Sequence, residues 1–524
     1  MFQRCRWKQQ HRRSWLVLFT DRCISRFLLV SLDIDAILQG TTISGRRKKL
    51  NEMTDRSGLE GAYGATLSRI KAQGGEKSRL GIVTLIWISH SERPLRVDEL
   101  RHALGVEIGS ANLDGDNVPS IGTVLACCQG LVFVDKEAST VRLIHFTLQE
   151  YLQAHAEHFD RPHAAMEKTC LSYLNSYQVK ALSPDSWPHD PHLQSTPFLE
   201  YCSVYWGAHA KRDLSECAKQ LALELFGGCS NHISAKLLLE TERSCLYFPS
   251  FRGNFESSGL HCVSLYGIAE IVTSLVEVEG CDINQTDCTG NIPLIWAAVE
   301  GHEEVVKILL GRDGVDPNKQ GSHRRTPLWN AAFYGHEGVL KMLLERDYVD
   351  PNIPDCNGRT PLWGATETRR GEMIKMLLGR GDVNPNILDK DGRTPLWWAA
   401  KNGHKGIVEI LLGRGDIKPD IPDCNGRTPL CDAAGGGHRK VVKMLLGRDD
   451  VNPDIADKYG QTPLLCAAWY GHEGVVKTLL GRGDVNPDKP DRYGKTPLFY
   501  ATSHGHAGVV ALLQPRAPAG SSTA

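Results

Sequence analysis

A 34-residue unit recurs through the C-terminal half of the chain. Thr-Pro-Leu opens a unit at 326, 360, 394, 428, 462 and 496, each 34 residues after the last, with Ile292-Pro293-Leu294 one period earlier and a weaker unit from Ser258-Gly259-Leu260. Self-similarity at this period dictates a solenoid of small supersecondary units. None can bury its apolar face alone, so neighbouring units supply one another's core.

Each unit has a physical reading. Proline fits the first helical position, where its missing N–H would have gone unpaired, and the preceding Thr caps the helix. Leu328, Ala331, Ala332 and their equivalents give a short helix with a narrow apolar face. Gly335, Gly403, Gly437, Gly471 and Gly505 fall where a helix end wants a left-handed residue. A second helix follows, as in Val441-Val442-Lys443-Met444-Leu445-Leu446. Its end carries Arg312, Arg346, Arg380, Arg414, Arg448 or Arg482, read as structural cations complementing the helix dipole. An extended segment with Pro317, Pro351, Pro385, Pro453 or Pro487 then leads to a turn ending in Gly358, Gly392, Gly426, Gly460 or Gly494.

Period, Thr-Pro-Leu, Ala-Ala, Gly-His and the Asp-x-x-Gly turn together resemble ankyrin repeats, about eight of them over 258–514. There are departures from the family pattern. Its His after Thr-Pro-Leu is replaced by Trp329, Trp363, Trp397, Cys431, Leu465 and Phe499, so packing is expected to replace the usual imidazole hydrogen bond. Gly321-Ser322-His323-Arg324 and Arg369-Arg370 break the turn and Gly-His motifs and should be the least regular places.

The 524 residues, 41% hydrophobic and 23% charged, imply a multi-domain globular chain. A net charge of −1 gives no general attraction to nucleic acid. Sixteen cysteines include no Cys-x-x-Cys pair, and Cys288, Cys356 and Cys424 merely share one turn position, so reduced thiols and an intracellular location, cytoplasmic or nuclear, are expected. The runs Trp15 to Phe19 and Phe27 to Val30 are too short to span a bilayer. The first twenty residues, with Arg4, Arg6, Lys8, Arg12 and Arg13, read either as a transit peptide or as a disordered start; Arg46-Arg47-Lys48-Lys49 reads as a nuclear signal or a solvated patch.

A second module precedes the repeats. Helices are predicted over Gly81 to Ile88, over Leu95 to Leu104 opened by Pro94, and from Pro119 through Leu125. Strands are expected at Leu131–Val134 and Val141–Phe146, with a helix from Thr147. Three helices and a hairpin make a winged helix. Between Gly105 and Asp135 there is no Lys or Arg, which leaves nothing to neutralise phosphates and argues for protein packing over DNA binding. Helical stretches at Met166–Leu174, Phe198–Ala208, Cys217–Leu225 and Ile233–Leu239 form a neck.

Leu59-Glu60-Gly61-Ala62-Tyr63, Trp87-Ile88-Ser89-His90 and His145-Phe146-Thr147-Leu148-Gln149-Glu150-Tyr151-Leu152 resemble the segment after the NTPase of fungal NACHT-ankyrin proteins, a winged helix also named after inositol deacylases of lipid anchors. Phe27 to Leu32 looks like the end of the NACHT domain itself. The resemblance implies NOD-like receptors that sense danger signals. It also implies the following division: 1–25 an unreliable start, 26–50 a NACHT remnant, 51–158 the winged helix, 159–257 the neck, 258–514 the repeats and 515–524 a tail.

The nucleotide motor is missing from this pattern. No Gly-x-x-x-x-Gly-Lys-Ser/Thr occurs, and Gly74-Gly75-Glu76-Lys77-Ser78 lacks the first glycine. His145, at the place where related ATPases read nucleotide, is read as a locally bonded strand-end residue. Gly-x-Ser-x-Gly is absent, and His302-Glu303, His336-Glu337 and His472-Glu473 are followed by no second ligand. No enzyme, cofactor, metal or small-molecule substrate is expected.

Binding remains. The fold class is mainly α, an ankyrin-repeat solenoid preceded by a winged-helix module and a helical linker domain. Ankyrin arrays present turn tips and first helices on a concave face. The candidate partner-binding residues there are Phe333, Tyr334, Lys401, Asn402, Trp469 and Tyr470, together with a basic ladder of Arg325, Arg359, Arg393, Arg427 and Lys495. The expected partner is a protein of acidic character, not nucleic acid or membrane. The alternative is a fragment of an NTP-dependent receptor whose motor is missing from this gene model.

Overall fold

The computed structural model of the chain describes residues 56–182, 195–227, 232–238, 258–278 and 280–514. The expectations for Phe27 to Leu32, Arg46 to Lys49, the basic start and the tail lie outside these residues. The chain divides into two compact units, one ending before 248 and one comprising the remainder.

In the first unit, α1 (Arg56–Ala72), α2 (Gly75–His90), α3 (Val97–Gly105) and α4 (Ile121–Cys127) precede the antiparallel strands β1 (Val132–Asp135) and β2 (Thr140–Leu143), and α5 (Phe146–Ala154) follows. Val132 pairs with Leu143 and Asp135 with Thr140, and the period of two buries Val132 while exposing Phe133. Several predicted boundaries move. Leu95 is not helical, because Arg96 bridges Thr140 as a short extra strand, and α3 starts only where the Glu99 carboxylate accepts the Arg96 N–H at 2.7 Å. Helix α4 begins after Ser120, whose hydroxyl accepts the Thr123 N–H, and not at Pro119. The second strand ends before His145, whose Nδ1 accepts the Thr147 N–H and caps α5. The Gly74-Gly75 turn joins α1 to α2, helix to helix.

The neck helices α6 (Pro162–Asn175), α7 (Tyr177–Lys180), α8 (Leu199–Ala210) and α9 (Glu216–Phe226) close on the winged helix. The link is aromatic: the buried Trp87 ring of α2 meets Phe198 edge-on at 5.3 Å and Tyr201 at 5.9 Å.

The second unit is a stack of helix pairs, from Gly259–Tyr266 with Ala269–Leu275 to Pro497–Ser503 with Ala507–Leu513. First helices pack on first helices, second on second. In the unit from 394, Thr394 Oγ1 accepts the Trp397 N–H at 3.1 Å. Leu396, Ala399, Ala400, Ile407, Val408 and Leu411 are buried. Gly403 turns the chain at φ 68°, and a Cβ there would sit 2.5 Å from the His438 ring. The two places expected to be irregular are so: His323, Arg324 and Arg369 take positive φ without being glycine.

Hydrogen bonds between repeats recur with the period. His336, His438, His472 and His506 each donate Nε2–H to a carbonyl 37 residues back. The second-helix arginines do more than face a dipole. Arg380, Arg414, Arg448 and Arg482 donate to carbonyls of the preceding repeat and pair with Asp382, Asp416, Asp450 and Asp484.

The position after Thr-Pro-Leu corrects the sequence reading. His261 of the first unit donates Nε2–H to the Asn291 carbonyl at 3.1 Å, and the indole N–H of Trp329 and Trp397 makes the equivalent bond to the carbonyls of Arg359 and Arg427 at 3.0 Å. Tryptophan supplies the hydrogen bond as well as the packing. Trp363 Nε1 alone among the three has no partner.

An asparagine ladder also ties the loops. Asn284, Asn318, Asn352 and Asn386 each accept a backbone N–H and donate Nδ2–H to a backbone carbonyl of the next repeat. At Asp420 the carboxylate still accepts from the Asn452 N–H, but its second oxygen is buried without a partner, since a carboxylate cannot donate. Asp420→Asn is therefore expected to stabilise the repeats by about 1 kcal/mol in urea unfolding at neutral pH. Burial raises the Asp420 pKa, so the protonated side chain regains a donor and the gain should shrink in acid. A variant no more stable than the parent at pH 7 would count against the ladder.

Candidate partner-binding surface

Each cation before Thr-Pro-Leu is four residues from the side chain that follows it, the spacing that brings both to one side of the helix start. The guanidinium of Arg325 lies 3.7 Å from the Trp329 ring centre, that of Arg359 3.8 Å from Trp363 and that of Arg393 5.4 Å from Trp397, while Lys495 Nζ stands 4.0 Å from Phe499. The turn aspartates provide counter-charge. Asp355, Asp389 and Asp457 are buried; one oxygen of each accepts turn N–H groups, and the other faces a cation. Arg325 comes within 4.0 Å of Asp355, Arg393 within 3.0 Å of Asp389, and Arg427 within 3.2 Å of Asp457, while Arg359 meets Glu367 at 3.4 Å. The four arginines of the basic ladder are thus matched by carboxylates of the chain itself.

The residues after Ala-Ala divide. Phe333 stacks on Trp329 at 5.0 Å and takes the Tyr334 edge at 5.2 Å. Asn402 turns back to donate to the Trp398 carbonyl. Trp469 stacks on Tyr500 at 4.3 Å, whereas Tyr470 is 62% exposed. Lys401 is exposed, its Nζ 4.7 Å from the Trp397 ring centre.

Four of the predicted residues, Lys401, Arg427, Trp469 and Tyr470, line one cavity of about 410 Å³. The remaining seven do not reach it. Its other walls, among them Cys431, Asp432, Gly435, Gly436 and Leu465, escaped the sequence reading. A signal existed, because the side chain after Thr-Pro-Leu is Trp in three successive units and then Cys431. Where an indole fills the space beneath the cation in those units, a thiol leaves it open beneath Arg427. Gly435 and Gly436 occupy the places of Phe333 and Tyr334 and add no side chains to fill it. Asp432 borders the cavity with 10% of its side chain exposed and Arg427 at 3.8 Å; burial pushes its pKa up against the pull of that guanidinium.

Among the described residues, no group of three or more His, Cys, Asp or Glu is placed to hold a metal ion, and no helix is long and apolar enough to cross a membrane.

Comparison with known families matches ankyrin repeats over 210–321, 314–387, 372–457 and 449–520, and the GPI inositol-deacylase winged helix domain over 69–161. Among solved structures, the ankyrin repeat domain of Bcl-3, titled a unique member of the IkappaB protein family, is 25% identical, with a TM-score of 0.40 over 43% of this chain and 99% of that chain. No curated protein matches.

Proposed function

The chain belongs to the ankyrin-repeat family, and from that premise we propose that it is a non-catalytic scaffold that grips a protein partner along its first helices and turn tips, anchored at the cavity walled by Lys401, Trp469 and Tyr470. The observation that carries this reading is the hollow itself. A solvent-exposed tyrosine beside a stacked tryptophan, over a space from which the array has withdrawn its own indole, is the kind of aromatic pocket into which a partner's anchor side chain fits. Because the arginine ladder meets carboxylates of its own chain, recognition runs chiefly through aromatic area; an acidic group of the partner is received at Lys401 on the rim. Nucleic acid and membrane are not the partners in this proposal.

The test is capture of partners by the immobilised full chain, with affinity then measured for each one identified. Tyr470→Ala, and Lys401→Ala with it, should weaken binding on the order of tenfold or more while leaving the melting temperature unchanged, because both side chains are exposed. Equal affinity for parent and double variant would rule the cavity out as the anchor.

The winged helix at 69–161 supports a second element of the proposal, that the scaffold is the sensing arm of a NOD-like signalling protein. An in-frame phosphate-binding loop in transcript upstream of Met1 would supply the motor of the NTP-dependent alternative.

A further inference from the structure

Two thiols meet beside the cavity. Cys431 and Cys466 come from first helices of adjacent repeats, Pro429–Gly435 and Pro463–Trp469, and their sulfurs are 3.3 Å apart. Both border the cavity. A second close thiol pair, Cys170 with Cys202, is fully buried in the other unit, with no exposed surface on either residue. Contact between sulfurs is therefore shared by the two pairs, and an approach from solvent distinguishes one of them. The cavity is large enough for a small oxidant, and the Arg427 guanidinium in its wall interacts electrostatically with both sulfurs.

We propose that Cys431 and Cys466 form a modification site, a dithiol that hydrogen peroxide converts into a disulfide joining two neighbouring repeats. Cys466 is the more open of the two, at 6% exposure against 2%, and attacks first. Its thiolate takes the distal oxygen of the peroxide, the O–O bond breaks, and the leaving hydroxide gains a proton to depart as water, giving a sulfenic acid. Cys431 then attacks that sulfur. The S–S bond forms as the S–O bond breaks, and the hydroxyl leaves with the Cys431 proton as a second water. Two thiols lose two electrons and two protons, and one peroxide becomes two waters. Cys431 suits the resolving role, since its contact with Cys466 and its burial raise its pKa and leave it a poor first nucleophile. The gap must close from 3.3 Å to a bond of about 2 Å, which side-chain rotation and a small shift of two adjacent helices supply.

The disulfide would add a covalent tie between two repeats that otherwise hold by packing, hydrogen bonds and the Arg427–Asp457 ion pair. It would also alter the wall of the cavity.

The experiment treats the full chain with graded hydrogen peroxide, followed by non-reducing peptide mapping. The expected product is a peptide pair joined through Cys431 and Cys466, lighter by two hydrogens than the reduced pair and restored by dithiothreitol, with Cys170 and Cys202 still reduced. The oxidised chain should melt at a higher temperature. In Cys431→Ser, the resolving thiol is gone and sulfenic acid at Cys466 should be trapped by dimedone in increased yield. The proposal is overturned if the pair stays reduced at doses that oxidise the exposed Cys217 and Cys424, or if Cys466 proceeds to sulfinic acid in the parent chain without a cross-link. Mapping of the parent needs no variant, so a folding defect in Cys431→Ser leaves the test intact.

Discussion

Trp397→Ala is expected to destabilise the repeat array by about 4 kcal/mol, the scale of deleting a large buried aromatic side chain. Trp397 is 2% exposed, packs beneath Arg393 and Lys401, and donates its indole N–H to the Arg427 carbonyl of the next repeat. Alanine removes all three at one interface. Since each repeat touches only its neighbours, the loss should also split the unfolding transition, with repeats beyond 428 melting first. Phenylalanine separates packing from hydrogen bonding. Trp397→Phe should cost about 1 kcal/mol and leave the Arg427 carbonyl unpaired, whereas Trp363→Phe should be nearly neutral because its Nε1 has no partner to lose. Urea unfolding of the three variants decides the matter. Equal cost for the two phenylalanine variants would mean that the indole bond contributes nothing.

The second large effect is acid lability of the first unit. His163 and His209 face each other, Nδ1 to Nδ1 at 3.0 Å, and Tyr201 Oη reaches His209 Nε2 at 3.0 Å. Burial lowers the pKa of His209 to about 3 and that of His163 to about 4, with Arg212 and His90 adding repulsion, and burial lowers His232 to about 4. Below pH 6.5 the unfolded chain takes up protons that these folded imidazoles refuse, so stability is present above 6.5 and falls with pH down to about 4. Glu167 opposes the trend. Its pKa is raised to about 7 by burial, so between 7 and the ordinary carboxylate range the folded state holds the extra proton. His209 and His232 are both buried, each contributing about 1.4 kcal/mol per pH unit, and Glu167 offsets one of them. The remaining slope is roughly 1 to 2 kcal/mol per pH unit, with the partly exposed His163 adding a smaller part. Hydrogen exchange of α2 and α8 at pH 7 and pH 5 should show the loss, and His209→Gln should flatten it. A first unit equally protected at both pH values would refute the account.

How far the sequence could be read depends on which interactions are local. Helix starts in the repeats follow from Thr-Pro, helix ends from Gly at positive φ, and the buried stripes from the period, because each concerns residues within one turn or one unit of each other. The two irregular places were legible for the same reason. Boundaries in the winged helix were less so. Glu99 fixes the start of α3 by reaching back to Arg96 while holding Arg93, and the strand pairing that draws Arg96 to Thr140 joins residues far apart in the chain.

By itself the sequence determined the period, the helix pairs, the stacking of like on like and the residue types offered on one side of the stack, since repetition makes every contact between neighbours a contact at fixed spacing. Tertiary structure alone decided how those residues are used. It set the arginine ladder against buried aspartates, put Trp329 and Trp397 in the hydrogen-bonding role of histidine, left a hollow under Arg427 and brought Cys431 to Cys466. Charge pairing, indole direction and empty volume depend on where side chains from different repeats meet in space, and a one-dimensional pattern carries the order of residues but not the volume between them.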